Sequence, residues 1–355
     1  MTGASATRRP NRFETASMAA AAACAAVAAG LDLGSASNTV VFLASGLALL
    51  TLAWIVGMAT EQLGESSGPK IGGVLNATFG NAAELIITIF AIRAGQLEVA
   101  TASITGSILG NTLLVLGASF VVGGVRHGTQ TFDRRVAGMN SSMLALAVIG
   151  LGLPTAFAAA RGTGPEVQTI SDVTAAVLLL LYGLSLVYYF RTSGGAHPPT
   201  GLPHWTGRVA MAALLASTAG VAVVSDVFVG TLDGVIADLG ISAAFLGLVI
   251  VPIVGNIAEN IVAIKIAYQD RMDFSMLVSL GSSLQVALGV APLLVFASLF
   301  TAHEFDLVFP TIQVIALAAA VTITALIASD GESNWLEGAQ LMAVYVIVAT
   351  AFWYL

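Results

Sequence analysis

Charged residues are scarce in this chain, since only 9% of its 355 residues are Asp, Glu, Lys or Arg. Soluble domains contain about a quarter, so an ordinary soluble protein is excluded. The 13 Lys and Arg residues form no basic stripe, and no nucleic-acid partner is expected. A single cysteine, Cys24, rules out an intramolecular disulfide. Walker, Gly-x-Ser-x-Gly and His-Glu-x-x-His sequences are absent, so neither an enzyme nor a cofactor-dependent protein is expected.

The chain contains long apolar runs, and 57% of its residues are hydrophobic. Windows of about 20 residues predict an all-α polytopic membrane protein with about eleven transmembrane helices. The predicted limits are about 14–31, 38–60, 70–93, 98–124, 136–160, 171–191, 207–229, 241–267, 274–301, 307–328 and 335–354.

The basic residues indicate an orientation. With the amino terminus in the cytoplasm, eleven of the 13 Lys and Arg residues fall on the cytoplasmic side, as the positive-inside rule requires. The carboxyl terminus is then outside, and the cell (inner) membrane is the expected location. The first span is the weakest, because Arg8, Arg9 and Arg12 before an alanine-rich run also fit a cleavable signal peptide. We favour a retained helix.

One sequence occurs twice within apolar runs, Gly-Asn-x-Ala-Glu at 80–84 and again at 255–259, 175 residues apart. The same register matches Gly106-Ser107 with Gly281-Ser282 in the following span, without a gap. The repeat therefore contains five spans. Since five is odd, the second copy enters the membrane from the opposite side, which predicts two inverted repeats plus one extra amino-terminal helix.

This organisation predicts four segments along the chain. The helix breakers between Thr192 and Gly207 mark the boundary near the middle. The segments are an amino-terminal tail with the first helix at 1–36, a first repeat at 37–191, a cytoplasmic linker at 192–206 and an inverted second repeat at 207–355.

Glu84 and Glu259 fall at mid-span, whereas the other Asp and Glu residues map to tails, loops or helix ends. An acidic residue inside a membrane is functional by default, although a protonated structural glutamate is the alternative. If the two carboxylates face each other, burial and repulsion favour their protonated forms when no cation is bound. A divalent cation supplies the same two positive charges. Competition between Ca²⁺ and protons therefore follows from the residue types.

Neutral oxygen donors accompany each glutamate. Asn81 and Asn256 precede the glutamates by three residues, on the same helix face, and either ligate a cation or hydrogen-bond a neighbouring helix. Gly80 and Gly255 either permit close packing or let the helix loosen and expose carbonyls. Pro252 favours loosening in the second copy. The next span adds Ser107 in the first copy, and Ser282 with Gln285 in the second, either as ligands or as self-satisfied hydroxyls. An all-oxygen set suits Ca²⁺.

These two motifs, from Gly72 to Glu84 with Gly106-Ser107 and from Gly255 to Glu259 with 281–285, resemble the repeats of the Ca²⁺/H⁺ antiporters. Those proteins are the cation/proton exchangers of the calcium/cation antiporter superfamily. The resemblance runs from about Glu61 to the end of the chain. It implies an eleven-helix fold in which the second and seventh spans slide against the rest.

The resemblance also implies roles for the residues that match the motifs. Glu84 and Glu259 would be the principal ligands and the proton carriers, and the Gly80 and Gly255 carbonyls with the Ser282 hydroxyl would complete the shell. Residues that would support the site or line the path are Asn81, Asn256, Ser107, Gln285 and Glu61. Two features depart from the pattern: 192–207 contains no acidic residue, and Asn260 stands where eukaryotic relatives often have His.

The predicted function is therefore electrochemically driven export of Ca²⁺ from the cytoplasm in exchange for H⁺, with Ca²⁺ as substrate and no cofactor. Alternatives are Na⁺-coupled exchange, exchange of a broader set of divalent cations and, less favoured, a cation channel. A channel fits less well because a tight pair of midplane carboxylates suits carrying rather than conduction. The sequence leaves a homo-oligomer open.

Overall fold

The protein is described from a computed structural model that covers residues 10–67, 69–162, 164–192 and 205–355. These residues are almost entirely helical, apart from an antiparallel ribbon of β1 (Gln130–Thr131) and β2 (Glu332–Ser333). The helices in chain order are α1 (Arg12–Leu33), α2 (Asn38–Ser67), α3 (Pro69–Phe79), α4 (Ala82–Arg93), α5 (Leu97–His127), α6 (Arg134–Arg161), α7 (Pro165–Thr192), α8 (Gly207–Gly230), α9 (Leu232–Leu239), α10 (Ala243–Tyr268), α11 (Met272–Ser298), α12 (Thr311–Ile327) and α13 (Trp335–Trp353).

Nine helices in the described ranges are long and apolar enough to cross a membrane. The shorter α12 is also apolar, and α3 and α4 together have the length of one further span. The predicted fold class, an all-α polytopic membrane protein, is confirmed. The chain is therefore an integral membrane protein.

The third predicted span, 70–93, is wrong as a single helix. The chain leaves the helix at Gly80 and Asn81, so that α3 ends at Phe79 and α4 begins at Ala82. In the second copy of the motif, α10 stays helical through Gly255, and the loosening that Pro252 favoured is absent in this structure. Pro252 lies in the first turn after a π-helical segment, where a missing backbone N–H is tolerated.

Three long helices contain a π-helical turn, an irregularity that is frequent near functional sites. The segments are Gly110–Val115 in α5, Leu246–Ile250 in α10 and Val286–Val290 in α11. Each lies within a few residues of one of the predicted polar motifs. The wider turn changes the direction in which the following side chains point, and so affects the geometry between these three helices.

Glycines allow α5 and α10 to cross at very short distance. A Cβ atom at Gly106 would overlap the Leu248 carbonyl, and one at Gly247 would collide with the Val99 carbonyl. The matching glycines of the other copy have different surroundings. Gly72 packs against Gly64 of α2, where a Cβ would lie 3.0 Å from the Gly64 Cα, and a Cβ at Gly281 would have no atom within 4 Å. The two halves therefore share a sequence register but not a packing arrangement.

The extra helix α1 contacts the last described part of the predicted linker. Asn11 caps α1, and the Glu14 side chain returns the capping bond. Glu14 Oε2 also accepts the indole N–H of Trp205 at 2.8 Å, and the Trp205 backbone N–H reaches Gln62 of α2 at 3.2 Å. Most of the predicted linker 192–206 lies outside the described residues. Its last described part is thus held between α1 and α2.

The difference between Gly106 and Gly281 gives a stability prediction. Gly106→Ala should lower the melting temperature of the detergent-solubilised protein by several degrees, because the added methyl group meets backbone. Gly281→Ala should leave it unchanged or raise it, since alanine favours helices by about 1 kcal/mol over glycine and finds open space here. Thermal shift followed by size-exclusion chromatography measures both values. Equal destabilisation by the two substitutions would contradict the packing described here.

Candidate functional site

Glu84 lies in the first turn of the half-helix α4, and its side chain is 0% exposed. The Asn256 side-chain amide donates to Glu84 Oε2 at 3.3 Å, and the Ser107 hydroxyl is within hydrogen-bonding reach of the same carboxylate. The second oxygen, Oε1, has no hydrogen-bond partner among the described residues. One oxygen of a buried carboxylate is thus left for another positive or donor group.

Glu259 lies on α10 and is partly exposed, in contrast to Glu84. The Ser282 hydroxyl donates to Glu259 Oε2 at 2.6 Å. The other oxygen lies over the helix break, where a Cβ atom at Gly80 would be 2.8 Å from Glu259 Oε1. A side chain at position 80 would therefore displace this carboxylate.

The motif glycine of each half faces the glutamate of the other half. Gly80 approaches Glu259, and Gly255 approaches Glu84, whose Cβ would lie 3.2 Å from a Cβ at position 255. The two glycines differ in their backbone. Gly80 lies at the break between α3 and α4, whereas Gly255 lies inside an α-helix, whose carbonyls bond to the N–H groups four residues on. The regular helical hydrogen-bond pattern is thus interrupted at the motif glycine of the first half and intact at that of the second.

Amide and hydroxyl groups connect the two halves around the carboxylates. Asn81 Nδ2 donates to Gln285 Oε1 at 2.8 Å, and the Ser282 hydroxyl lies 3.4 Å from Asn81 Oδ1. In the other half, Asn256 Nδ2 is 3.2 Å from Ser107 Oγ. Each asparagine therefore pairs with the serine of the opposite half.

One polar residue in this network was not among the predicted site residues. Asn111 is 3% exposed, and its side-chain amide donates to Ser282 Oγ at 3.1 Å. Its position four residues after Ser107 on α5 placed it on the same helix face, which is the signal that the sequence offered. Glu61 is the one predicted residue that is not in this cluster. It lies exposed at the far end of α2.

The cluster contains two carboxylates, two hydroxyls and four carboxamides, those of Asn81, Asn111, Asn256 and Gln285. In the described part of the chain, no group of three or more His, Cys, Asp or Glu side chains is close enough to hold a metal ion. The ionisable ligands are thus limited to two, and the remaining donors are neutral oxygens. Hard oxygen ligands with two negative charges match one divalent cation or two protons.

Curated proteins and solved structures that are similar to this chain carry related names. A Ca²⁺/H⁺ antiporter of Synechocystis is 42% identical over 89% of this chain and 91% of its own length. The Ca²⁺/H⁺ antiporter ChaA of Bacillus subtilis is 40% identical over 93% of this chain and 98% of its own. Among solved structures, native YfkE superposes with a TM-score of 0.84 at 38% identity, covering 94% of this chain and 98% of that one.

The sodium/calcium exchanger protein family matches this chain in two stretches, residues 37–191 and 209–354. Together these stretches include the helix break, both motif glutamates and every polar residue of the cluster. The chain therefore belongs to the sodium/calcium exchanger protein family.

Proposed function

We propose that this protein exchanges Ca²⁺ for H⁺ across a membrane by alternating access and removes Ca²⁺ from the cytoplasm. Relatives named Ca²⁺/H⁺ antiporters match it at about 40% identity over most of its length. The observation that carries the proposal is the pair Glu84 and Glu259, one from each half, surrounded by neutral oxygens. Such a pair binds one Ca²⁺ or two protons with the same balance of charge.

In this proposal the site residues have distinct roles. Glu84 and Glu259 ligate Ca²⁺ and carry the protons, and the Gly80 and Gly255 carbonyls with the Ser282 hydroxyl complete the shell. Asn81, Asn256, Ser107 and Gln285 support it, while Glu61 attracts cations at the inner mouth. The protein is thus a transporter rather than an enzyme, with Ca²⁺ as substrate and without a resident cofactor.

Two five-helix repeats, 37–191 and 207–355, form the proposed framework, preceded by a tail and helix at 1–36 and joined by a linker at 192–206. The crossed contacts of Gly80 with Glu259 and of Gly255 with Glu84 support this division. The distribution of Lys and Arg supports a cytoplasmic amino terminus and an external carboxyl terminus in the cell membrane.

Alternating access follows from the unequal packing of the two halves. The outer part of α10 packs closely on α5 at Gly106. Glu84 is fully buried, so this packing closes the outer side of the site. The matching inner helix α3 packs on α2 at Gly64 and does not cover Gly281 of α11. In this half the glutamate of the opposite motif, Glu259, is partly exposed. This arrangement faces inward. In the outward state the halves exchange roles, so that α3 packs on α11 at Gly281 and α10 loosens at Gly255.

Ion coupling is tested in inverted vesicles that are acidic inside. External Ca²⁺ should enter as protons leave, at a rate that does not depend on Na⁺ and falls when the proton gradient is collapsed. Fluorescent Ca²⁺ and pH indicators follow both ions. Uptake that survives collapse of the proton gradient and follows a Na⁺ gradient would replace this proposal by Na⁺-coupled exchange, and Ca²⁺ flux without proton movement would indicate a channel.

Glu84→Gln and Glu259→Gln should each reduce Ca²⁺/H⁺ exchange to background, because glutamine keeps the size of glutamate but neither balances the cation nor releases a proton. Glu98→Gln is a matched control, since Glu98 is exposed at a helix end. It should retain exchange. All three proteins should elute as wild type on size-exclusion chromatography, and near-normal exchange in either motif variant would show that the site lies elsewhere.

Gly281→Ala tests the exchange of packing between the halves. The substitution should leave the inward-facing protein stable and yet reduce Ca²⁺/H⁺ exchange strongly, because its methyl group would obstruct α3 in the outward state. Gly138→Ala, which also adds a methyl group in open space, should transport normally. Normal exchange by Gly281→Ala would disprove this outward state while leaving the exchange of Ca²⁺ for H⁺ intact.

A further inference from the structure

A small cavity lies beside the site, between α5, α10 and α13. It leaves about 10 Å³ for the centre of a water molecule, which is about the minimum that a buried water needs. The polar side chains in its lining are those of Ser107, Asn111, Asn256, Asn260 and Tyr345. Leu114, Val115, Pro252 and Ile253 form the apolar part of the lining. The polar groups on the other part offer a water molecule the hydrogen-bond partners that it needs.

Two amide oxygens at this cavity have no hydrogen-bond partner among the described residues. They are Asn256 Oδ1, on a side chain that is 2% exposed, and Asn260 Oδ1. The Asn256 amide nitrogen, in contrast, is occupied by Glu84 and Ser107. A buried acceptor without a partner is strongly unfavourable, so each of these oxygens requires a donor.

The other half of the protein satisfies its equivalent asparagine with protein atoms alone. Asn81 Nδ2 donates to Gln285 Oε1 at 2.8 Å, and the Ser282 hydroxyl lies 3.4 Å from Asn81 Oδ1. In the 175-residue register, the counterpart of Gln285 is Gly110, which lines the cavity and has no side chain. A Cβ atom at Gly110 would have no neighbour within 4 Å. The space beside Asn256 is thus the place that a glutamine side chain fills in the other half.

We propose that this cavity binds one ordered water molecule, which occupies the space of the missing glutamine side chain, bonds the amide oxygen of Asn256 and so holds Asn256 in its orientation toward Glu84. The water donates to Asn256 Oδ1 and Asn260 Oδ1 and accepts the Tyr345 hydroxyl, which gives it the three hydrogen bonds typical of buried water. Asn260 and Tyr345 are then positioning residues that act on the cation site through Asn256. Their effect on Ca²⁺ rests on the proposed function, whereas the presence of the water does not.

X-ray hydroxyl-radical footprinting with mass spectrometry, in lipid nanodiscs, detects the water directly, because bound water labels adjacent side chains. Tyr345 is 6% exposed and should nevertheless be labelled, unlike the fully buried Phe120. Gly110→Ala should lower the Tyr345 label to the level of Phe120, since the methyl group occupies the cavity. Gly138→Ala should not change it. An unlabelled Tyr345 in the wild type, or an unchanged label in Gly110→Ala, would overturn the proposal.

Transport by the same variants tests the positioning role. Gly110→Ala and Tyr345→Phe should raise the KM for Ca²⁺ on the order of tenfold, as loss of an outer-shell partner does, with little change in Vmax. Gly110→Ser should keep a KM near wild type, because its hydroxyl replaces the water. Equal effects of Ala and Ser at this position would reduce Gly110 to a packing residue and overturn the positioning role. A labelled Tyr345 in a wild type that does not exchange Ca²⁺ for H⁺ would support the water site and refute the proposed function instead.

Discussion

Two carboxylates in the middle of a membrane protein, without a fixed cationic partner in their cluster, are the constraint on which the rest depends. Their neighbours are neutral: Asn256 and Ser107 at Glu84, and Ser282 at Glu259. In the proposed function, charge balance therefore comes from ions that enter and leave. Because each glutamate faces the motif glycine of the opposite half, the cluster is complete only while both halves are in contact. The proposed cycle therefore couples ion binding to movement between the halves.

Much of this arrangement could be predicted from the sequence because the membrane makes polar residues conspicuous. The chain forms long apolar helices because exposing backbone polar groups to lipid is costly. The two mid-span glutamates are conspicuous because they interrupt otherwise apolar helices. The 175-residue register identified Asn81 and Ser107 as the equivalents of Asn256 and Ser282, and in the structure each asparagine lies beside the serine of the opposite half. These signals depend on composition and spacing, which the sequence contains in full.

The conformation of each half could not be predicted in the same way. Both motifs contain Gly-Asn, yet the helix breaks at Gly80 and continues through Gly255. Pro252 pointed to the wrong half, because a π-helical turn directly before it accommodates the missing N–H. Asn111 shares a helix face with Ser107, but its bond to Ser282 of the other half depends on how α5 packs against α11. Such differences arise from packing between distant helices, and a local pattern does not contain them.

The single break at Gly80 and Asn81 has an energetic consequence. In the proposed cycle, the broken helix of the first half becomes continuous as α10 of the second half loosens. The number of helical hydrogen bonds is therefore similar in both end states. The loss of backbone bonding in one half offsets the gain in the other, and the two states differ little in intrinsic free energy. Small differences in ion occupancy are then sufficient to shift the population.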